Sequence, residues 1–310
     1  MALRRNATRR NATRRDETRL SLDSVDPAWL DASVLRARFR SVAKRLHDRL
    51  FRNHVYVVRH GFMRGHKRRG RMPWFQRPRP QEARELEFFE NLDLAGKVAY
   101  DIGANIGMHS VKLGEKVGPS GRVIAFEPDP IAAEKLRDVI GLNQLSHVDV
   151  HQVALGRETG RLSLLVPDST RVHMSATLSP SLKAQAAPEH VKRSVMVEVV
   201  RLDDYVRERA LPAPDFLKID VEGFEVEMLE GAAETIAQSK PTIFVEVHGA
   251  GVAEKERIAR DVFKSLPGYA FLHLETGTRT RGTEPTTEPS QKLPLGGHWI
   301  CTSSTNVPGR

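Results

Sequence analysis

Acidic and histidine residues follow two predicted strands, where their side chains could remove a proton or hold a metal ion. Asp220 ends the run "DFLKID" and Glu222 follows it, whereas Glu246 and His248 lie in "TIFVEVH". Residues two apart on a strand face the same side, so Glu246 and His248 should point together. All four are candidate catalytic residues. In one hypothesis His248 or Asp220 takes a proton from a bound nucleophile directly; in the other, Asp220, Glu246 and His248 hold Mg²⁺, Ca²⁺ or Mn²⁺.

A turn rich in glycine precedes these residues in the chain. The sequence "YDIGANIGMHS" places Asp101 at the end of an apolar run, with Gly103 and Gly107 on either side of Asn105. Glycine adopts backbone angles that are closed to other residues and lets a ligand approach the backbone. Asn105 stands where a dinucleotide fingerprint needs its middle glycine, and no Gly-Lys-Ser/Thr follows for a phosphate loop. The turn therefore predicts a ligand site of another kind.

An acidic residue, Glu127, ends the next predicted strand, 20 residues beyond Gly107. A carboxylate at this place can accept hydrogen bonds from both hydroxyls of a ribose. The same carboxylate disfavours a phosphate and favours a cationic group. An adenosyl ligand that carries an ammonium group and no phosphate matches these charges. The sequence therefore predicts S-adenosylmethionine as the ligand.

Alternating strands and helices are predicted to position these residues. Strands are expected at 97–101, 122–127, 148–155, 215–220, 242–248 and 269–275, with a last edge strand at 298–303. Helices are expected at 82–92, 107–117, 130–143, 222–238 and 252–266. The alternation predicts a doubly wound α/β fold with a mostly parallel sheet. Ligands of such sheets bind at the carboxyl ends of the strands, where the turn and the acidic residues lie. Glu225, in the helix that follows Asp220, is expected at the surface.

One long connection interrupts the alternation. The segments 161–167 and 194–202 resemble the two arms of a hairpin, and residues 168–193 between them show no apolar period. An irregular link of 26 residues inside a domain is typical of a lid or a binding loop, or of a disordered segment. We expect this segment to select the substrate.

Six blocks of the sequence, in chain order, resemble the FkbM family of S-adenosylmethionine-dependent methyltransferases. They are "YDIGANIGMHS", "VIAFEPDP", "HQVALG", "LDDYV", "DFLKIDVEGFEVEMLEGA" and "FVEVHG". The resemblance extends over residues 82–275. It implies a class I methyltransferase (Rossmann-like) fold with a seven-stranded sheet. It also implies transfer of a methyl group to a hydroxyl oxygen on a sugar, a glycan or a natural product.

The resemblance also implies which residues surround the donor. The glycine turn would border its methionine part, Glu127 would hold its ribose, and the residues after Glu127 would shape the adenine side. From the methionine end to the adenine end, the implied cofactor-binding residues are Asp101, Gly103, Asn105, Gly107, Glu127, Pro128, Asp129 and Ala154.

The basic character of the chain belongs to its N-terminal quarter. Residues 1–80 contain 22 Lys and Arg against 6 Asp and Glu, whereas residues 81–310 contain 26 against 33. We predict a disordered Arg-rich tail (1–20), a basic α-helical N-terminal extension (21–80) and the methyltransferase domain (81–310). The basic region could contact an anionic membrane surface; nucleic acid is less favoured, because no binding motif accompanies the charge. The oligomeric state does not follow from the sequence.

Two other functions stay open at this point. One is an RNA or protein methyltransferase docked by the basic region, and the other is an adenosyl-binding protein without catalysis. Of the 310 residues only Cys301 is a cysteine, and neither a signal-peptide core nor an apolar run long enough to span a bilayer is present. We therefore expect a cytoplasmic protein.

Overall fold

Alternating strands and helices form the part of the chain that the computed structural model describes. That part comprises residues 53–70, 80–167, 176–187, 191–281 and 296–303, all within the unit Asn53–Arg310. The predicted Arg-rich tail and residues 21–52 of the predicted extension lie outside the described residues.

The strands and helices are numbered here in chain order. The strands are β1 (Val55–Val57), β2 (Lys67–Arg69), β3 (Val98–Ile102), β4 (Arg122–Phe126), β5 (Val148–His151), β6 (Ala154–Leu155), β7 (Gly160–Pro167), β8 (Val191–Val200), β9 (Phe216–Ile219), β10 (Thr242–Val247), β11 (Tyr269–His273), β12 (Arg279–Arg281) and β13 (Gly297–Ser303). The helices are α1 (Pro80–Glu90), α2 (Met108–Val117), α3 (Pro130–Leu142), α4 (Pro180–Gln185), α5 (Leu202–Arg209), α6 (Glu225–Glu230), α7 (Ala233–Ser239) and α8 (Val252–Ser265).

A mostly parallel sheet occupies the centre, as the alternation predicts. Its strand order is β12-β11-β13-β10-β9-β3-β4-β5. The five neighbouring strands β10, β9, β3, β4 and β5 are parallel to one another. The carboxyl ends of β3, β4, β9 and β10 therefore lie along one edge of the sheet, because parallel strands all end on the same side.

Apolar side chains on both faces of the sheet hold it between two helical layers. Leu217 and Ile219 of β9 belong to one buried cluster, whereas Phe216 of the same strand belongs to the other. This alternation follows from the period of two along a strand. A central strand buried on both sides needs a nearly continuous apolar run, and β9 is buried at all four residues. Lys218 is the one charged residue of β9, and its side chain is 1% exposed.

A second sheet of three strands, in the order β6-β8-β7, lies beside the first. It confirms the predicted hairpin, because β7 and β8 pair antiparallel from Gly160 to Pro167. The strand predicted over 148–155 is instead two strands. β5 ends at His151 in the central sheet, and β6 pairs in parallel with β8.

The helix predicted over 222–238 is also wrong in its extent, because it consists of α6 and α7 with Gly231 and Ala232 between them. A Cβ on Gly231 would lie 2.0 Å from the carbonyl oxygen of Gly156, so only glycine permits this close approach of the backbone. Asp203 then caps the second helix by accepting hydrogen bonds from the backbone N–H groups of Glu234 and Thr235. The apolar period continues across the break, which is why the sequence predicts one helix.

The strand at the C-terminal end corrects two further predictions. β13 is not an edge strand, since it pairs antiparallel with both β10 and β11. Among the described residues the central sheet has eight strands and not seven, because the short β12 pairs with β11. Strand order depends on which strands meet in space, and a period along the chain carries no information on it.

The described part of the predicted helical extension, residues 53–70, is a β-hairpin and not a helix. β1 and β2 pair antiparallel, and Phe62 and Met63 between them are buried with Phe89 of α1. Through these contacts the hairpin packs against α1. No helix among the described residues combines the length and the apolar character that a bilayer-spanning segment needs.

Candidate functional site

A cavity of about 400 Å³ opens at the carboxyl ends of β3, β4 and β9. Its walls come from the turn after β3, the residues after β4 and the turn after β9. The second sheet closes it on another side, with Leu164 of β7 and Leu178 among the lining residues. The site therefore lies where the parallel strands of an α/β sheet leave room for a ligand.

The glycine turn after β3 is shaped by contact with the turn after β9. Gly103 has φ +78°, and a Cβ there would lie 1.8 Å from the carbonyl oxygen of Asp220. No side chain fits at this position, so the two turns can approach only through glycine. Gly107 has φ +89° and precedes α2; a Cβ there would meet Leu136 and Val139 of α3. Gly103 and Asn105 line the cavity.

Asp101 lies behind the turn and does not line the cavity, and neither does Gly107. The Asp101 carboxylate is 0% exposed, accepts a hydrogen bond of 2.6 Å from the Ser110 hydroxyl, and lies 3.2 Å from Lys218 Nζ. Lys218 also donates to the Gly103 carbonyl oxygen at 3.0 Å. Burial would lower the pKa of Lys218, but Asp101 and Asp220 raise it above its ordinary value. This ion pair joins the ends of β3 and β9 beneath the cavity.

Glu127 follows β4 with its carboxylate directed at two backbone groups. It accepts hydrogen bonds from the N–H of Asn105 at 2.7 Å and of Asp129 at 2.8 Å. Burial raises the pKa of Glu127 to about 7, although these two hydrogen bonds lower it. Pro128 and Asp129 line the cavity beside it, as does Ala154 of β6.

Asp129 is already engaged by two partners. Its Oδ1 accepts a hydrogen bond of 3.0 Å from the N–H of Ile131, which caps α3. The same oxygen forms an ion pair with Arg193 of β8. The second sheet is therefore attached to this end of the cavity by a charged contact.

The predicted acidic group converges on His248, which follows β10. Its Nε2 lies 3.4 Å from Glu246 Oε1, 3.6 Å from Glu222 Oε2 and 3.9 Å from Asp220 Oδ1. Ligand atoms of Asp220, Glu246 and His248 lie within 4.8 Å of one another. Asp220 and Glu222 line the cavity, whereas His248 does not.

Glu225 was predicted to lie at the surface, but this prediction is wrong, because its side chain is 0% exposed. Its Oε1 lies 3.0 Å from His248 Nδ1 and accepts a hydrogen bond of 2.9 Å from the N–H of Gly223. Burial would lower the pKa of His248, but Glu225 and the other carboxylates raise it well above its ordinary value. The carboxylates around His248 therefore favour its protonated form.

Residues 101–274 match the family model for the methyltransferase FkbM domain. The chain belongs to this family. The match includes the glycine turn, Glu127 and the acidic group around His248.

Several curated relatives are named as methyltransferases. Methyltransferase sdnD of Sordaria araneosa is 33% identical over 43% of this chain and 60% of its own length. The 2-O-methyltransferase NoeI of Sinorhizobium fredii is 26% identical over 58% of this chain and 75% of its own length. The hexuronic acid methyltransferase AglP of Haloferax volcanii is 27% identical over 51% of this chain and 59% of its own length. This FkbM-family chain thus spans less than two thirds of two of these relatives.

Two charged groups near the site of this FkbM-family chain were not predicted from the sequence. Lys218 could have been found from the sequence, because a lysine inside the apolar run "FLKI" must have a charged partner if the strand is buried in the centre of the sheet. His298 and Glu275 could not, because only the strand order brings β13 beside β10.

Part of the predicted substrate-selecting segment covers the cavity. Of residues 168–193, the structure describes 176–187 and 191–193. Ala176 and Leu178 line the cavity, and the Thr177 hydroxyl donates to the Glu222 carbonyl oxygen at 2.6 Å. Gln185 of α4 donates to the Ala250 carbonyl oxygen, also at 2.6 Å. The described part of the segment is thus attached to the turns that carry Glu222 and His248.

Proposed function

We propose that this chain is an S-adenosylmethionine-dependent O-methyltransferase whose acceptor is a hydroxyl group of a sugar or a natural product. The observation that carries the proposal is a single cavity with a buried carboxylate, Glu127, at one place and the carboxylates of Asp220 and Glu222 at another. Family membership and relatives named as a 2-O-methyltransferase and a hexuronic acid methyltransferase support the same reaction class.

In this proposal the donor lies along the cavity with its ribose on Glu127. Two backbone N–H groups fix the Glu127 carboxylate, and each of its oxygens keeps a lone pair for a ribose hydroxyl. Pro128, Asp129 and Ala154 would contact the adenine side. The methionine part would lie along Gly103 and Asn105, with Asp101 and Gly107 supporting that turn from behind. Asp220 and Glu222 give the methyl end a negative wall, which suits a sulfonium group.

We assign the proton transfer to Asp220. When bound, S-adenosylmethionine supplies a methyl carbon made electrophilic by the positive sulfur. Asp220 would accept the proton of the acceptor hydroxyl as the hydroxyl oxygen receives that methyl group, and the sulfur would keep the electron pair of the C–S bond. Asp220 lines the cavity, whereas His248 lies outside the lining residues, and the carboxylates around it raise its pKa. His248 would offset the charge of the neighbouring carboxylates and orient Asp220.

A metal-assisted reaction is the second candidate, and one observation favours it. Asp220, Glu246 and His248 have ligand atoms within 4.8 Å, and Glu225 holds the other nitrogen of His248 as a carboxylate does in many metal sites. Oxygen ligands with one histidine suit Mg²⁺, Ca²⁺ or Mn²⁺. Direct transfer is favoured here because His298 already occupies the second oxygen of Glu246 with a positive charge. Activity that EDTA abolishes and Mn²⁺ restores would overturn the assignment to direct transfer.

Glu127→Ala should weaken donor binding by about 1–3 kcal/mol, the cost of losing a charged hydrogen-bond acceptor. Isothermal titration calorimetry with S-adenosylmethionine and with S-adenosylhomocysteine measures the loss, which should be similar for both because they share the ribose. Glu134→Ala, at an exposed residue of α3, is the matched control. An unchanged affinity in the Glu127 variant would remove the ribose role.

Donor affinity should also depend on pH through Glu127. Its pKa is about 7 in the free protein, and the ribose hydroxyls favour the ionised carboxylate. Binding then releases a proton below pH 7, so affinity should rise with pH up to about 7 and level off above it. Calorimetry between pH 6 and 8 measures how donor affinity changes with pH. The control is Glu127→Gln, which has no carboxylate at this position and should not show the change. A flat wild-type profile would contradict the prediction.

The reaction itself is tested with a methyl-labelled donor and a panel of acceptors. The panel holds uronic acid glycosides, neutral glycosides and hydroxylated polyketides, with bulk RNA and cell protein as separate arms, and mass spectrometry identifies the labelled product. Label on a hydroxyl oxygen of a small acceptor is the expected result. Label on RNA or protein alone would instead favour a macromolecular methyltransferase. Donor binding without any turnover would favour a non-catalytic adenosyl-binding protein.

A further inference from the structure

His298 of β13 lies against the acidic group although it has no part in the proposed reaction. The antiparallel register of β10 and β13 places His298 directly opposite Glu246. His298 Nε2 lies 3.4 Å from Glu246 Oε2, and its ring stacks on Phe244 with centroids 5.0 Å apart. The side chain is mostly buried, 13% exposed, and is therefore held in one orientation.

Glu246 is shared between two imidazole rings. Its Oε1 lies 3.4 Å from His248 Nε2, and its Oε2 lies 3.4 Å from His298 Nε2. Two partners on opposite oxygens fix the rotation of a carboxylate, whereas one partner leaves it free to turn. The orientation in which Glu246 faces His248 therefore depends on His298.

A further carboxylate fixes each imidazole. Glu225 lies 3.0 Å from His248 Nδ1, and Glu275 lies 2.6 Å from His298 Nδ1. Glu275 also accepts the backbone N–H of His298 at 3.1 Å, so it holds both the ring and the chain of that residue. The array that results alternates acid and base from the turn after β9 to the loop after β11: Glu225, His248, Glu246, His298 and Glu275.

Three other charged or titratable groups border this array. Glu85 Oε1 lies 3.9 Å from His298 Nε2 and 2.8 Å from His109 Nε2, and His273 Nε2 lies 3.1 Å from Glu275 Oε2. None of the three lines the cavity. Glu85 faces the same ring nitrogen of His298 as Glu246 does, whereas His273 contacts the other oxygen of Glu275. Among the contacts of the described residues, His298 is linked to His248 through Glu246.

We propose that His298, held by Glu275, is a positioning residue for methyl transfer: it keeps Glu246 turned toward His248 and thereby keeps His248 beside Asp220. The inference rests on the proposed function. Without His298, the Glu246 carboxylate can rotate away, and His248 loses one of the groups that direct its Nε2 at the turn after β9. The donor contacts, which involve Glu127 and the glycine turn, do not depend on this array.

The kinetic test compares His298→Leu, which removes both ring nitrogens, with His298→Gln, which keeps a polar N–H for Glu246. The matched control is His147→Leu. His147 is a partly buried histidine whose Nε2 lies 2.8 Å from the Gly114 carbonyl oxygen, and it does not line the cavity. The Leu variant of His298 should lose about 10–100-fold in kcat, the range for partners of this kind in other sites, with the KM and Kd of the donor unchanged. The Gln variant should recover most of the loss.

A kcat that His298→Leu leaves unchanged would overturn the inference. The inference would also be overturned if His298→Gln did not restore kcat and if the loss of kcat in His298→Leu and His147→Leu simply followed their loss of Tm. That result would show a structural role only. If His298→Leu does not fold, Glu275→Gln replaces it, because it keeps the size of the partner and weakens the contact to His298. Glu275→Gln should lower kcat by a smaller factor than is expected for His298→Leu.

A measurement without acceptor separates this inference from the proposed function. With ¹⁵N-labelled histidine, NMR of His298→Leu should shift the imidazole signals of His248, while His147→Leu should leave them in place. Unshifted His248 signals would overturn the positioning role even if methyl transfer is observed. Shifted signals in a protein that transfers no methyl group would support the coupling and count against the proposed function alone.

Discussion

Replacing Lys218 with Met should destabilise the protein by about 3–5 kcal/mol, because it leaves a buried carboxylate without its cation. The ammonium group is 1% exposed and the Asp101 carboxylate 0%, with 3.2 Å between Lys218 Nζ and Asp101 Oδ1. Lys218 also lies 3.5 Å from Asp220 Oδ2 and donates to the carbonyl oxygen of Gly103. Methionine fills a similar volume, so the loss measures the charge and the hydrogen bonds more than a cavity.

Equilibrium unfolding in urea gives the free energy, and two further variants make the result specific. Lys218→Met combined with Asp101→Asn should regain part of the loss, since it removes the uncompensated charge. Lys97→Met should cost at most about 1 kcal/mol, because Lys97 is exposed and its pair with Asp215 is a surface one. A Lys218 variant as stable as the Lys97 variant would contradict the prediction.

Lys218 also illustrates which parts of the site the sequence could predict. Parallel strands end at one edge whatever their order, so the glycine turn, Glu127 and the group after β9 and β10 were expected together. Part of the turn, Glu127 and the residues after β9 line one cavity, whereas His248 lies beside Asp220 but outside the lining. The register pairs Asp101 with Lys218 directly across neighbouring strands. That pairing needs the order of the strands, and the sequence alone does not give it.

The predictions that failed depend on contacts between distant parts of the chain. Gly231 ends α6 because the backbone of Gly156 approaches it, although the helical period continues past it. Glu225 is buried because His248 and the N–H of Gly223 meet its carboxylate, which no local pattern of α6 reports. His298 reaches the site only because β13 lies between β10 and β11. Periodicity predicts the elements, whereas the partners of these elements are set by tertiary packing.

Asp220→Asn should lower kcat about 10²–10⁴-fold, which is the range for loss of a general base. The affinity for S-adenosylhomocysteine, which carries no positive sulfur, should stay unchanged. Asparagine has the shape of aspartate, so the contact with Lys218 and the turn after β9 should persist. It cannot take up the hydroxyl proton, and that is the step assigned to the Asp220 carboxylate at the cavity wall. Single-turnover kinetics with labelled donor separates the chemical step from binding, and calorimetry reports the Kd of S-adenosylhomocysteine.

Three comparisons decide what a loss in this variant means. Glu230→Gln changes an exposed carboxylate on α6 that is paired with Arg157, and it should leave kcat as in the wild type. His248→Gln should cost less than Asp220→Asn if Asp220 takes the proton, and more if His248 does. Recovery of the Asp220 variant by excess Mn²⁺ would indicate a ligand to a metal ion and not a base. An unaltered rate would remove Asp220 from the chemistry and leave Glu222 as the carboxylate of the cavity wall that faces the methyl group.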